Sequence, residues 1–243
     1  MSPPRHRPRI HTASLPAGAA AVMDTRTGRG TWHHLNPTAG RLWHRLASGV
    51  PVERAVEELV ESFTAAGADR QVVDTDLRAL VARLRSLGLL SAPAAPAPPA
   101  PLDAPVVYLP EGNTVRPSIT DRAAGIVALP LALVLLRLTP IRVPLAVVRV
   151  AARIPRPRAT ATRAAALHLS VRRAGRWWPG RAACLEESLA CTLAALLRGR
   201  HVTWVIGART APAAAHAWIE TEDRIIGQDA EDRVWPYAPA VRL

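Results

Sequence analysis

The sequence predicts an α+β protein of two units, and three observations point there. Residues 11–90 hold two short strand-like runs and then three helical periods. Residues 91–117 are dominated by Pro and Ala and cannot build a core. Residues 118–243 open on apolar helical stretches and end on short alternating ones, with Cys184 at a helix start and His216 on a strand.

In the first unit, Ala20–Asp24 reads as a strand, Thr25–Gly30 as a turn and Thr31–Leu35 as a second strand. Asn36-Pro37-Thr38 starts a helix through Leu46, and Gly49 ends it. A second helix places Val52, Val56, Leu59, Val60 and Phe63 on one face. A third, from about Val73, carries Leu77, Leu80, Val81, Leu84 and Leu87 and closes at Gly88. Two strands and three helices in that order are winged-helix-like in outline. Residues 91–117 read as an extended, semi-stiff linker. The unit 118–243 begins with two apolar helices punctuated by Pro140, Pro144 and Pro155. A helix over roughly 161–176 follows, then the cysteine helix, then strands at 201–208, 215–221 and 224–228.

Composition sets the context. The 243 residues carry a net charge of +12, and every basic side chain is Arg. Residues 1–92 hold 12 Arg against 8 acids and the remainder 19 against 11, so the charge is not gathered in one nucleic-acid-binding arm. The two cysteines lie seven residues apart on one helix, about 10 Å, too far for a disulfide. A reduced, cytoplasmic setting follows as the expectation. Ala123–Leu136 is apolar but about 14 residues long and contains Pro130. It is read as a buried helix that Pro130 interrupts, an interfacial membrane contact being the alternative.

The chemistry centres on Cys184. A cysteine in the first turn of a helix meets unpaired N–H groups and the positive end of the helix dipole, both of which favour thiolate. Cys191, two turns further on, reads as core. Ala215–Glu220 alternates, so His216 shares a strand face with Trp218 and Glu220. A two-residue turn at Glu222-Asp223 pairs Glu220 with Ile225, and the same count brings His216 opposite Asp229, which could orient the imidazole. A three-residue turn would bring Gln228 there instead. The Cys184 N–H is the expected oxyanion donor, with Trp177 or Trp178 as a second donor or as packing. Helix-start cysteine followed by strand histidine is the layout of papain-like and transglutaminase-like enzymes.

The runs Gly180–Ala190, Val205–Ala208 and Ala215–Glu220 resemble the leader peptidase of lasso-peptide biosynthesis. The resemblance implies a transglutaminase-like fold over 118–243 and a Cys-His-Asp triad, with Cys184, His216 and Asp229 in those roles. This sequence departs from the family at the third position, where an acidic residue would stand close to Gln228. In the first unit, Gly28, Trp32–Ala39, Leu42-Trp43, Leu46–Gly49, Asp76-Leu77, Leu84 and Gly88–Leu90 are similar to the peptide chaperone of pyrroloquinoline quinone biosynthesis. That resemblance implies a leader-recognition domain over 11–90, where a peptide adds as a strand beside the last helix. The two together imply a fused leader peptidase that hands its product to an asparagine-synthetase-like cyclase, without cofactor or metal. The linker would act as a tether that raises the local concentration of the cleavage site. Two other classes are open: an acyl transferase or crosslinking enzyme with the same Cys-His site, and a DNA-binding winged-helix regulator, which requires an Arg-rich recognition helix.

Overall fold

A computed structural model describes residues 9–91, 115–180, 182–210, 212–222, 224–226 and 236–243. Most of the expected linker, 92–114, lies outside the described residues, as do Gln228 and Asp229.

The first unit is a three-stranded antiparallel sheet under three helices. Strands β1 (Ile10–Ser14), β2 (Ala20–Asp24) and β3 (Thr31–Leu35) pair in that order. β2 and β3 lie where the sequence placed them, and β1 is an addition to the expected pair. Helix α1 (Pro37–Ala47) starts at Asn36, whose side chain accepts from the Ala39 N–H at 2.9 Å. α2 spans Val52–Ala65, and α3 spans Arg70–Ser86 behind an Asp69 cap. Leu42, Val56, Val60, Leu77 and Val81 fill the space between the helices. Ile10, Val22, Trp43 and Leu84 fill the space between helices and sheet. Arg26, in the β2–β3 turn, is doubly bonded to Asp24 and donates to the Leu87 and Gly88 carbonyls, which ties the turn to the end of α3. Gly88 has φ +68°, and a Cβ there would lie 2.6 Å from that guanidinium.

In the second unit, α4 (Ile119–Leu138) opens on a Ser118–Asp121 capping box and continues through Pro130. The expected break does not occur, because Pro130 stands on the exposed side, where the carbonyl it leaves unbonded faces water. α5 (Arg142–Ala151), α6 (Ala161–Gly175) and α7 (Cys184–Leu197) follow. Four antiparallel strands, β4 (Thr203–Thr210), β5 (Ala213–Glu220), β6 (Ile225–Ile226) and β7 (Ala238–Arg242), form a sheet in the order β6-β5-β4-β7. β7 was not expected. Its Pro239 is tolerated on an edge strand next to a bulge at Ile206/Gly207. α7 is packed between α4, α6 and the sheet face bearing Trp204, Ile206, Ala217 and Ile219. Asp121, 1% exposed, pins α4 to its neighbours through Arg163 and Arg198, each at 3.2 Å.

The two units are joined by more than a tether. Ala13, Leu15, Ala19 and Ala21 of the first sheet share one apolar cluster with Ala208 and Ala240 of the second. Met23 enters the large core of the second unit, and the Ile141 N–H donates to the Gly28 carbonyl at 2.8 Å. Direct packing therefore sets the position of one unit against the other.

Beside this seam His11 is 4% exposed on β1, and burial together with the Arg149 charge lowers its pKa from 6.5 to about 4. The unfolded chain takes up this proton below pH 6.5 and the folded chain resists it until about 4. Stability is therefore complete above 6.5 and falls across that window, by about 3 kcal/mol from this group alone. Melting temperatures measured from pH 7 to 4 should fall less in His11→Gln than in the native chain; parallel curves would contradict the assignment.

Candidate active site

Cys184 is the first residue of α7, so its sulfur sits at the positive end of a helix whose early N–H groups have no helical acceptor. Two opposing influences act on the thiol. Partial burial raises its pKa. A hydrogen bond with His216, the charge of that imidazole and the N–H groups of Ala217 and Leu185 outweigh burial, and the net result is a pKa below the ordinary cysteine value. The structure thus brings together the cysteine and histidine that the sequence singled out. Cys191 is the opposite case: fully buried, its thiol is pushed up by desolvation and by Glu187.

His216 is flanked by aromatic rings. The Trp218 ring stacks on it at 5.9 Å with 13° between planes, and Tyr237 lies 5.1 Å away. Arg209 sits 4.6 Å over the Tyr237 ring. Gly207 is the cross-strand partner of His216. A Cβ at Gly207 would lie 2.7 Å from the Trp218 ring and 2.4 Å from the Ala238 carbonyl, so only glycine leaves room for this stack. The Trp218 indole donates to Glu220 at 3.0 Å, and Glu220, 3% exposed, is bound by Arg242 at 3.2 Å. Sequence reasoning had His216, Trp218 and Glu220 on one face. It missed Tyr237 and Arg242, which come from the C-terminal segment whose strand it did not see.

The other expected participants divide. Ile219 pairs with Ile226 and Glu220 with Ile225, the register of a two-residue turn. Asp229 and Gln228, further along, lie outside the described residues. Trp177 is 91% exposed, whereas Trp178 packs against the core with its indole nitrogen 2.8 Å from where a Gly180 Cβ would stand. That buried N–H has no hydrogen-bond acceptor among the described residues.

The first unit approaches the same place. Arg29, in the β2–β3 turn, reaches Glu186 in the first turn of α7 at 3.5 Å, and Glu186 also accepts from the Ala183 N–H at 3.1 Å. β3 begins two residues after Arg29, and its outer edge has no strand partner among the described residues. Where β3 ends, a cleft of about 420 Å³ is lined by Asn36, by Phe63 of α2 and by Val73, Leu77 and Leu80 of α3.

Comparison with known proteins agrees with this division. Residues 125–242 match the family model of the transglutaminase-like superfamily. Residues 20–90 match that of coenzyme PQQ synthesis protein D (PqqD). Neither the curated proteins nor the solved structures gave a match. The chain joins an N-terminal PqqD-like domain to a C-terminal transglutaminase-like domain.

Proposed function

We propose that this protein is a leader peptidase for a ribosomally made lasso-peptide precursor, with Cys184 as nucleophile, His216 as base and Asp229 as the group that orients His216. The observation that carries the reading is the placement of Cys184 at the start of α7 against His216, whose imidazole lowers the thiol pKa, with the β2–β3 turn of the PqqD-like domain bonded to that same helical turn. We divide the chain for this purpose into a recognition domain, 11–90, a linker, 91–117, and a protease domain, 118–243.

The chemistry runs in two halves. His216 takes the thiol proton, and the Cys184 sulfur attacks the scissile carbonyl while the helix-start N–H groups face the oxygen that gains charge. The C–N bond then breaks, the imidazolium gives its proton to the leaving core amine, and the leader stays on Cys184 as a thioester. Water, deprotonated by His216, attacks that thioester and releases the leader acid and the free thiol. The freed amine is the group an asparagine-synthetase-like cyclase would join to a side-chain carboxylate. The transglutaminase-like superfamily includes acyltransferases, so the same thioester could be taken by an amine. A DNA-binding role finds little support in α3, where Arg70 and Arg78 are engaged by Glu57 and Asp74. Mass spectrometry of precursor incubated with the full chain decides among these readings. Hydrolysis gives two fragments with a water added, amine transfer gives a mass gain on an acceptor, and absence of both rejects the enzyme.

Recognition is testable separately. On this reading the leader adds to the β3 edge and places an apolar side chain in the cleft where that strand ends. Leu80→Ala should raise KM about tenfold, equivalent to about 1.4 kcal/mol, with kcat unchanged. A fall in kcat with KM unchanged would remove the cleft from the binding surface.

A further inference from the structure

Helix α4 is apolar on both sides, and the core uses only one of them. Ala124, Ala128, Ala132, Leu133 and Leu136 are buried, whereas Ile119, Ile126, Val127, Leu131, Val134 and Leu138 are 43–84% exposed. The exposed set recurs at three- and four-residue steps, a stripe about 30 Å long. Soluble proteins seldom leave such a stripe uncovered.

Its surroundings define what would cover it. α6 runs beside α4: Gly125 backs onto Ser170, Gly175 approaches Leu129, and the Arg137 guanidinium lies 5.4 Å over the Trp178 ring. Along that border stand the exposed Arg172, Arg173 and Arg176, followed by the almost fully exposed Trp177. Residues 118–178 contain eleven arginines and one acid, Asp121, which is buried among Ser118, Arg163 and Arg198. This charge complements a negatively charged partner. Between Arg122 and Arg137 no residue of α4 carries a polar side chain. A protein interface of this length would offer about one hydrogen bond per 100–200 Å², whereas lipid tails ask for none.

We infer that α4 seats the protein on an anionic lipid surface, the stripe entering the headgroup boundary and the flanking arginines meeting lipid phosphates. α4 has the length and apolarity of a membrane span, but its second face is committed to the core, so it lies along the surface. This inference is independent of the thiol chemistry.

Co-sedimentation of the full chain with vesicles tests it, using phosphatidylcholine alone and phosphatidylcholine with about a quarter phosphatidylglycerol. Binding should require phosphatidylglycerol, weaken severalfold when salt is raised to about 0.5 M, and fall about tenfold or more in Ile126→Glu/Val134→Glu. Both positions are more than half exposed, so the melting temperature should hold. Trp177→Ala, at a position without packing to lose, should weaken binding severalfold and serves if the double variant does not fold. No binding of the native chain to anionic vesicles overturns the inference, as does undiminished binding by both variants. Self-association or capture of an acidic protein that the double variant abolishes, with no vesicle binding, also overturns it and assigns the stripe to a protein contact.

Discussion

Cys184→Ala should abolish leader release while leaving leader binding unchanged, because under the proposed function the sulfur would be the attacking atom and the leader would dock on the edge of another sheet. Loss of a thiol nucleophile that works as a unit with its base typically costs 10³-fold to 10⁶-fold in turnover. Cys191→Ala provides the control. That side chain is fully buried with its thiol pKa raised, so it cannot supply thiolate, and its removal costs about 1 kcal/mol of packing with most activity kept. Single-turnover mass spectrometry and leader-binding anisotropy on both variants separate chemistry from recognition. Equal loss of turnover in two folded variants would end the assignment of Cys184.

Asp229→Asn is expected to be almost as damaging, at about 10⁴-fold in turnover, because the imidazole would lose the carboxylate that fixes its tautomer. Ile219 opposite Ile226 and Glu220 opposite Ile225 fit a two-residue turn, and the same count brings His216 to Asp229. Gln228→Ala should then stay within about tenfold of the native rate, since adjacent strand residues point to opposite faces. A bulge between Ile226 and Asp229 would reverse the ranking. Near-native turnover in Asp229→Asn would remove it from the triad.

Where the sequence was legible, a strong local signal agreed with the tertiary structure. The strands at Ala20–Asp24 and Thr31–Leu35 alternate around a Gly-bearing turn, and both formed where expected. The cysteine helix begins at Cys184 because Pro179 and Gly180 break the chain and a leucine stripe follows. β1 was illegible for a physical reason. Ile10-His11-Thr12-Ala13 is buried on both faces, so it shows no alternation, and its Thr12 accepts from the Trp43 indole at 3.0 Å. β7 was hidden by Pro239, which argues against a central strand but not against an edge. The shared core escaped notice because alanines make it. Ala13, Ala21, Ala208 and Ala240 give little hydrophobic contrast in sequence, and close approach between two sheets is what small side chains allow.

That alanine seam has a metric consequence. With Met23 inserted in the second core and Arg29 bonded to Glu186, the open edge of β3 stands at a fixed offset from the Cys184 sulfur. An extended peptide advances at most about 3.3–3.6 Å per residue, so a precursor docked on that edge brings only a narrow range of bonds to the sulfur. Under the proposed function the protein would work as a ruler. It would select the scissile bond by counting residues from the docked segment, leaving the side chains that flank the bond free to vary between precursors.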